Sequence, residues 1–194
     1  GLGGCISFYP AKTLGCFGDG GIVLTNDDNI YNVIKLMRDH GRGEDGNVSI
    51  WGFNSRLDNL QAAILNFFFQ DYDKTVNRRR GVADLYHEEL KDINELALPP
   101  ATNSNNNHFD IYQNYEIEAT RRDKFKSFLS DNGIGTLIQW GGKAVHEFKD
   151  LGVSQSLPIT EKIMRDSLML PLNMTVTDVE IKYICKCIRS FYHD

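Results

Sequence analysis

Apolar residues early in the chain cluster in short blocks, and later they recur in helical stripes. "CISFYP" and "GIVLTN" are apolar, β-branched or aromatic runs bounded by Gly and Pro, so each predicts a buried strand. Asn26 or Asp27 is placed to cap a helix with apolar positions Ile30, Val33, Ile34 and Met37, closing near Gly41. The polar, glycine-bearing "GRGEDGNVS" follows as a loop. From Leu57 a stripe of Leu57, Leu60, Ile64, Phe67 and Phe68 continues through Tyr72, Val76, Val82, Leu85, Tyr86 and Leu90. That predicts one long helix or two in tandem, with a bend at Gly81, and such an element often bridges two domains.

"LALPPATNSNNN" reads as a surface loop ending in low-complexity asparagine. "HFDIYQNYEIEA" alternates as a strand, with Phe109, Ile111, Tyr115 and Ile117 inward. "RRDKFKSFLSDNG" predicts a short helix closed by Gly133, "IGTLIQW" a returning strand, and residues 159–168 a further helix before "LMLPLN". Thr177 and Glu180 form a capping-box pattern ahead of a last helix with Ile181, Ile184, Cys185 and Ile188 on its apolar side. No internal repeat appears. The order predicts α/β character in the first part and a compact α+β unit after it, divided as residues 1–78 and 79–194.

The composition, 41% hydrophobic and 24% charged over 194 residues, suits a packed core. A net charge of -5 argues against nucleic-acid binding, which needs clustered Lys and Arg. The one basic run, Arg78 to Arg80, predicts a solvated helix face or an anion contact. Cys5, Cys16, Cys185 and Cys187 are dispersed without metal-ligand spacing, so they read as reduced thiols of a cytoplasmic protein and no metal is expected. No apolar run is long enough to span a bilayer, and no secretory leader is visible. The chain opens on "GLGG" rather than Met, which leaves a processed or incomplete N-terminus open.

The candidate chemistry sits between the first two apolar blocks. In "SFYPAKTLGCFGDGGIVLTND" a single lysine, Lys12, occupies a turn with glycines at 15, 18, 20 and 21. Glycines let a ligand approach the backbone closely. A lysine amine lowered in pKa by burial or a neighbouring cation becomes a nucleophile toward an aldehyde, most commonly that of pyridoxal 5'-phosphate (PLP). Ser7 at the strand end can turn its hydroxyl to a phosphate oxygen. A solvated lysine is the plain alternative. The glycines do not fit the dinucleotide-binding G-x-G-x-x-G fingerprint.

This stretch resembles the lysine segment of the DegT-type (DegT/DnrJ/StrS) nucleotide-sugar aminotransferases, a PLP-dependent family of fold type I with the pattern S-F-x-x-x-K-x-L-x-x-x-G-D-G-G. The resemblance continues in order through "MRDHG", "GFNSRLDNLQAAIL", "RRRGVADLYHEEL", "RRDKFKSFLSDNGIGT" and "LMLPLN". It implies the C-terminal portion of such an enzyme: part of the PLP-binding large domain, without its N-terminal half, and then the smaller α+β domain. By the same resemblance Lys12 matches the lysine joined to PLP as an imine, and Ser7 the serine on the cofactor phosphate. Asn54 matches the asparagine that reaches a phosphate in the neighbouring subunit's site, implying a homodimer with a shared active site. Arg56 and His40 fall in segments near the interface and the substrate side. An arginine paired with a carboxylate and a helix-end histidine are the structural readings of these two.

Where many members carry His-Tyr-Pro, this chain has "QWGGKAVH", so Gln139, Trp140 and His146 mark the region expected to tune which sugar is accepted; a core tryptophan is the alternative. The resemblance implies transfer of an amino group, with glutamate as donor, to a keto group of a nucleotide-linked hexose, for deoxyamino-sugar and surface polysaccharide biosynthesis. It also implies that these residues alone hold PLP poorly. A PLP-dependent sugar dehydratase is the alternative within the fold, and Lys12 argues against it because histidine commonly replaces the lysine there. A non-catalytic binding or regulatory module is the alternative outside it.

Overall fold

The computed structural model describes all residues except 105–107, 154 and 194, so the asparagine run expected to end a surface loop lies largely outside the described residues. The chain divides into two compact units, Gly1–Lys74 and Thr75–Asp194.

In the first unit β1 (Gly4–Ser7) pairs antiparallel with β2 (Gly21–Leu24), in a register matching Gly4 to Leu24 and Ser7 to Gly21. Helix α1 (Asp28–Met37) is capped by Asp27, whose carboxylate accepts from the N–H of Asn29 at 2.8 Å and of Ile30 at 3.1 Å. The carboxylate thereby satisfies two of the N–H groups that every helix start leaves without a partner. Helix α2 (Asn59–Phe69) follows, and α3 (Tyr72–Leu90) starts after a break at Gln70 and Asp71. The break is therefore not at Gly81, which lies inside α3. There a glycine is tolerated because neighbouring turns supply the hydrogen bonds, at the cost of some helix propensity.

The two strands are not buried. Every residue of β1 and β2 is exposed, and Leu24 keeps half its surface open to solvent. Their apolar run is patterned for a covered layer, yet the first unit buries only Cys16, Gly41 and Leu65.

The second unit has a full core. Strands β3 (Leu96–Ala97), β4 (Tyr115–Ala119) and β5 (Ser167–Leu170) form an antiparallel sheet in that order. Helices α3, α4 (Arg122–Asp131) and α6 (Asp178–His193) pack Val82, Tyr86, Leu90, Phe125, Leu129, Ile181, Ile184 and Ile188 with Tyr115, Ile117, Leu168 and Leu170. Helix α5 (Pro158–Asp166) opens on proline, whose missing N–H costs nothing at that position. Burial pushes the Cys185 thiol up to about 12, which leaves it protonated at neutral pH and inert.

The expected strand over residues 108–119 shortens to β4. Phe109 is exposed and instead carries the Arg80 guanidinium over its ring at 4.2 Å. The expected strand over residues 134–140 reduces to one bridge, Leu137 to Met169, because the backbone there turns into a tight 3-10 segment, Gln139–Gly142.

Arg78 to Arg80 are not a solvated face. Arg78 pairs with Asp178 at 2.6 Å, and Arg79, mostly buried, donates to the Gln113 carbonyl at 2.9 Å. Arg80 donates to the carbonyls of Asp110 and Thr102. A guanidinium presents several donors in a fixed fork, so consecutive arginines can hold three separate segments against one helix.

Thr177 and Glu180 form the capping box at the start of α6. The Glu180 carboxylate accepts from the Thr177 N–H and hydroxyl, both at 2.8 Å, while the Thr177 oxygen accepts from the Glu180 N–H at 3.2 Å. The first of these bonds is the main cause holding the Glu180 carboxyl below its usual range.

Two outcomes are expected. Arg79→Ala, which removes a buried charge-assisted bond, lowers unfolding free energy by about 2 kcal/mol in a urea titration. Because the folded Glu180 carboxyl is lowered, its stabilisation is present above the unfolded value of 4.5 and is lost as pH falls through the folded value. Glu180→Gln therefore flattens the acid side of a melting-temperature profile, and an unchanged slope would refute the assignment.

Candidate active site

The loop between β1 and β2 carries Lys12. The Phe8 N–H donates to the Gly20 carbonyl at 2.8 Å, continuing the strand pairing, and the Lys12 N–H donates to the Tyr9 carbonyl at 2.8 Å, closing a turn that places Lys12 at its end. Pro10 inside that turn pre-sets the backbone angle the turn needs. The Cys16 N–H returns to the Phe8 carbonyl at 2.9 Å. The buried Cys16 sulfur lies 3.1 Å from both the Phe8 and Gly18 carbonyl oxygens. Gly20 closes the loop without a side chain, because a Cβ there would stand 2.8 Å from that sulfur and 3.1 Å from Leu57 Cδ1. From α2, Gln61 Oε1 accepts the Phe17 N–H at 2.8 Å. The Lys12 side chain is exposed and makes no ion pair among the described residues. Ser7 ends β1, and its oxygen accepts the Tyr9 N–H at 3.3 Å.

A second element of the site is built from "MRDHG" and "GFNSR". Their backbones are stitched together: Phe53 N–H to Met37 carbonyl at 2.7 Å, His40 N–H to Phe53 carbonyl at 2.9 Å, and Ser55 N–H to Arg38 carbonyl at 2.9 Å. The two segments approach so closely that a Cβ on Gly52 would run into the Gly41 nitrogen and the His40 carbonyl carbon. His40 takes a left-handed backbone, φ 61°, at the exit from α1, and its side chain is exposed. Asp39 binds Arg56 at 2.8 Å and Arg42 at 3.2 Å. Desolvation works to raise the Asp39 carboxyl, but the hydrogen bond and charge of Arg42 and the charge of Arg56 outweigh it and hold the group below its usual range. The carboxylate therefore stays ionised and fixes Arg56, so the structural reading of Arg56, pairing with a carboxylate, is realised.

Asn54 and Arg56 line a groove of about 740 Å³ together with Lys35, Arg38 and Ser55, opposite the β1–β2 ribbon. Ser7 and Lys12 do not line it. Thus the structure joins Ser7 with Lys12, and His40 with Asn54 and Arg56, as two separate clusters of the first unit.

Trp140 belongs to the second unit. It is 81% exposed, with φ 49°, between turns that need the glycines at 141 and 142, so it is not a core residue. His146 is buried beside Glu161, with Nε2 to Oε1 at 3.2 Å, and serves the packing of its own unit. Nothing in composition or spacing sets Cys16 and Gln61 apart. Cys16 reads as one of four scattered thiols, and Gln61 as a polar residue on a helix; only the folded loop shows what they hold.

Residues 1–189 match the DegT/DnrJ/EryC1/StrS aminotransferase family. The chain is 37% identical over 174 residues to dTDP-3-amino-3,4,6-trideoxy-alpha-D-glucose transaminase of Micromonospora megalomicea subsp. nigra, covering 86% of this chain and 46% of that protein. It is 33% identical over 191 residues to the Pleiotropic regulatory protein of Geobacillus stearothermophilus, covering 96% and 50%. Its fold matches a crystal structure of a DegT DnrJ EryC1 StrS aminotransferase from Brucella abortus with a TM-score of 0.88 and 32% identity, over 100% of this chain and 52% of that one. The chain spans about half the length of the curated relatives it matches. By sequence and by fold, the chain belongs to the DegT/DnrJ/EryC1/StrS aminotransferase family.

Proposed function

We propose that this chain serves in a PLP-dependent aminotransferase that transfers an amino group, from glutamate, to a keto group of a nucleotide-linked hexose, in the making of deoxyamino sugars for surface polysaccharide. The observation that carries the reading is Lys12: an exposed amine with no ion pair among the described residues, on a loop whose backbone is closed by hydrogen bonds, in a chain matched over residues 1–189 to an aminotransferase family. The residues present suit a phosphorylated aldehyde. They offer an exposed amine with no ion pair among the described residues and, at the end of β1, a hydroxyl.

When bound, PLP supplies an electrophilic aldehyde carbon and an electron sink for the carbanion left by proton removal. Lys12 Nζ would be the nucleophile that holds the cofactor. The same amine would be the base that takes a proton from the amino donor's α-carbon and returns it, so one residue would serve both tasks. Ser7 Oγ donates to a phosphate oxygen. Asn54 lies on a groove that Lys12 does not line, which supports a homodimer in which Asn54 completes the phosphate site of the other copy. Helix α2 supports the same reading, since Leu60, Phe67 and Phe69 are each more than half exposed. Arg56, held by Asp39, offers its remaining donors to substrate, with His40 on the same unit; Trp140, exposed on the second unit, is a separate candidate for a substrate contact.

The name of the Geobacillus stearothermophilus relative favours a second reading, a regulatory module that keeps the fold without the chemistry. One experiment separates them. Full-length protein incubated with PLP, reduced with borohydride and digested should carry the phosphopyridoxyl label on Lys12, and glutamate should convert its absorbance to that of the amine form. Lys12→Ala should abolish the label and lower transamination by about 10³-fold or more. Wild-type protein without label on Lys12 would favour the regulatory module, and label without the glutamate-dependent change would count against transamination.

A further inference from the structure

We infer that Cys16 and Gln61 are positioning residues that clamp the Lys12 loop from two sides and so aim its amine; the inference about aim rests on the function proposed above. The loop runs from Phe8 to Gly20 and has little apolar packing: Phe17 is 73% exposed and meets Phe68 of α2 with ring centres 6.0 Å apart. What fixes it is polar. The single Cys16 thiol proton is shared between the carbonyls of Phe8, before the lysine turn, and Gly18, after it, each 3.1 Å from the sulfur. A side chain at one point thus ties both flanks of the loop, with Lys12 between them. A thiol is a weak donor, but here it is buried to 1% exposure, where water does not compete for the carbonyls.

The second hold comes from outside the loop. Gln61, on the first turn of α2, accepts the Phe17 N–H at 2.8 Å, and Gly18 leaves only 3.2 Å between its absent Cβ and Gln61 Nε2. This bond ties the lysine loop to the helix that follows directly on Asn54 and Arg56. The two clusters of the site are therefore linked through one side-chain amide. A nucleophile displaced by about 1 Å from a productive approach loses about 10²-fold in rate, so fixing the loop controls reactivity without Cys16 or Gln61 touching a reactant.

The test uses full-length protein, with Cys16→Ala, Cys16→Ser, Gln61→Ala and Gln61→Glu. Two readouts are taken: amide hydrogen exchange across the loop, and the rate at which PLP labels Lys12 under borohydride, normalised to the label on exposed Lys186 in the same digest. Cys16→Ala and Gln61→Ala should each raise exchange at Cys16 and Phe17 about 10-fold and slow Lys12 labelling about 10-fold, with about 10²-fold for the pair. Lys186 labelling should stay constant. Cys16→Ser, which keeps a donor, and Gln61→Glu, which keeps the acceptor oxygen, should recover most of both. Melting curves on every variant establish that each is folded.

Unchanged exchange in the alanine variants would overturn the clamp, whatever the cofactor chemistry. Raised exchange with an unchanged Lys12 rate would overturn its role in aiming the lysine. Wild-type protein that leaves Lys12 unlabelled would overturn the proposed function and with it the aiming role, and exchange alone would then decide whether the clamp exists.

Discussion

Close backbone-to-backbone approach is the constraint on which the first unit depends. With only Cys16, Gly41 and Leu65 buried, that unit cannot be held in shape by a hydrophobic core. Its order comes instead from main-chain hydrogen bonds at two crossings, the stitch of residues 37–41 to residues 52–55 and the closure of the lysine loop on Phe8. Both crossings require a glycine where a Cβ would run into main chain, Gly52 against Gly41 and His40 in one and Gly15 against the carbonyls of Tyr9 and Pro10 in the other. Hydrogen bonds are directional and hydrophobic contacts are not. A region assembled this way keeps its geometry through its main chain while side chains such as Lys12, Asn54 and His40 stay exposed.

The second unit follows the opposite logic. Stacked Tyr86 and Tyr115, with ring centres 4.8 Å apart, sit amid aliphatic residues from three helices and a sheet, and Tyr86 donates its hydroxyl proton to the Pro171 carbonyl at 2.8 Å. Burial drives the Tyr86 phenol well above its ordinary range, so it remains a donor at any physiological pH. Three successive arginines pin the surrounding loops. Apolar packing and polar ties to main-chain carbonyls thus divide the stabilisation of the whole chain unevenly.

Much of this was legible in the residues. The Asp27 cap, the capping box of Thr177 and Glu180, the apolar face of α6 and the Gly133 stop all follow from local rules that reach no more than a few positions along the chain. What was not legible depends on distant partners. The break between α2 and α3 falls at Gln70 and Asp71 although Gly81 is the weaker helix former, and β1 and β2 are patterned as buried yet lie open. Arg78 to Arg80 read as solvated because their acceptors, the carbonyls of residues 102, 110, 113 and 176, lie up to 98 positions away. Of the site, Lys12 and Ser7 stood out through a strand followed by a glycine-rich turn. The hold on Arg56 by Asp39, 17 positions earlier, appears only once the two segments meet.

The two-stranded ribbon of β1 and β2 has a consequence for handling the chain. Among the described residues each strand pairs with the other alone, and neither Gly4–Ser7 nor Gly21–Leu24 contains a charged residue or a proline. Nature usually guards such margins with lysine, proline or a bulge. Left uncovered in concentrated solution, these margins are templates for strand addition from neighbouring molecules, so turbidity growing with concentration would begin here rather than in the well-packed second unit.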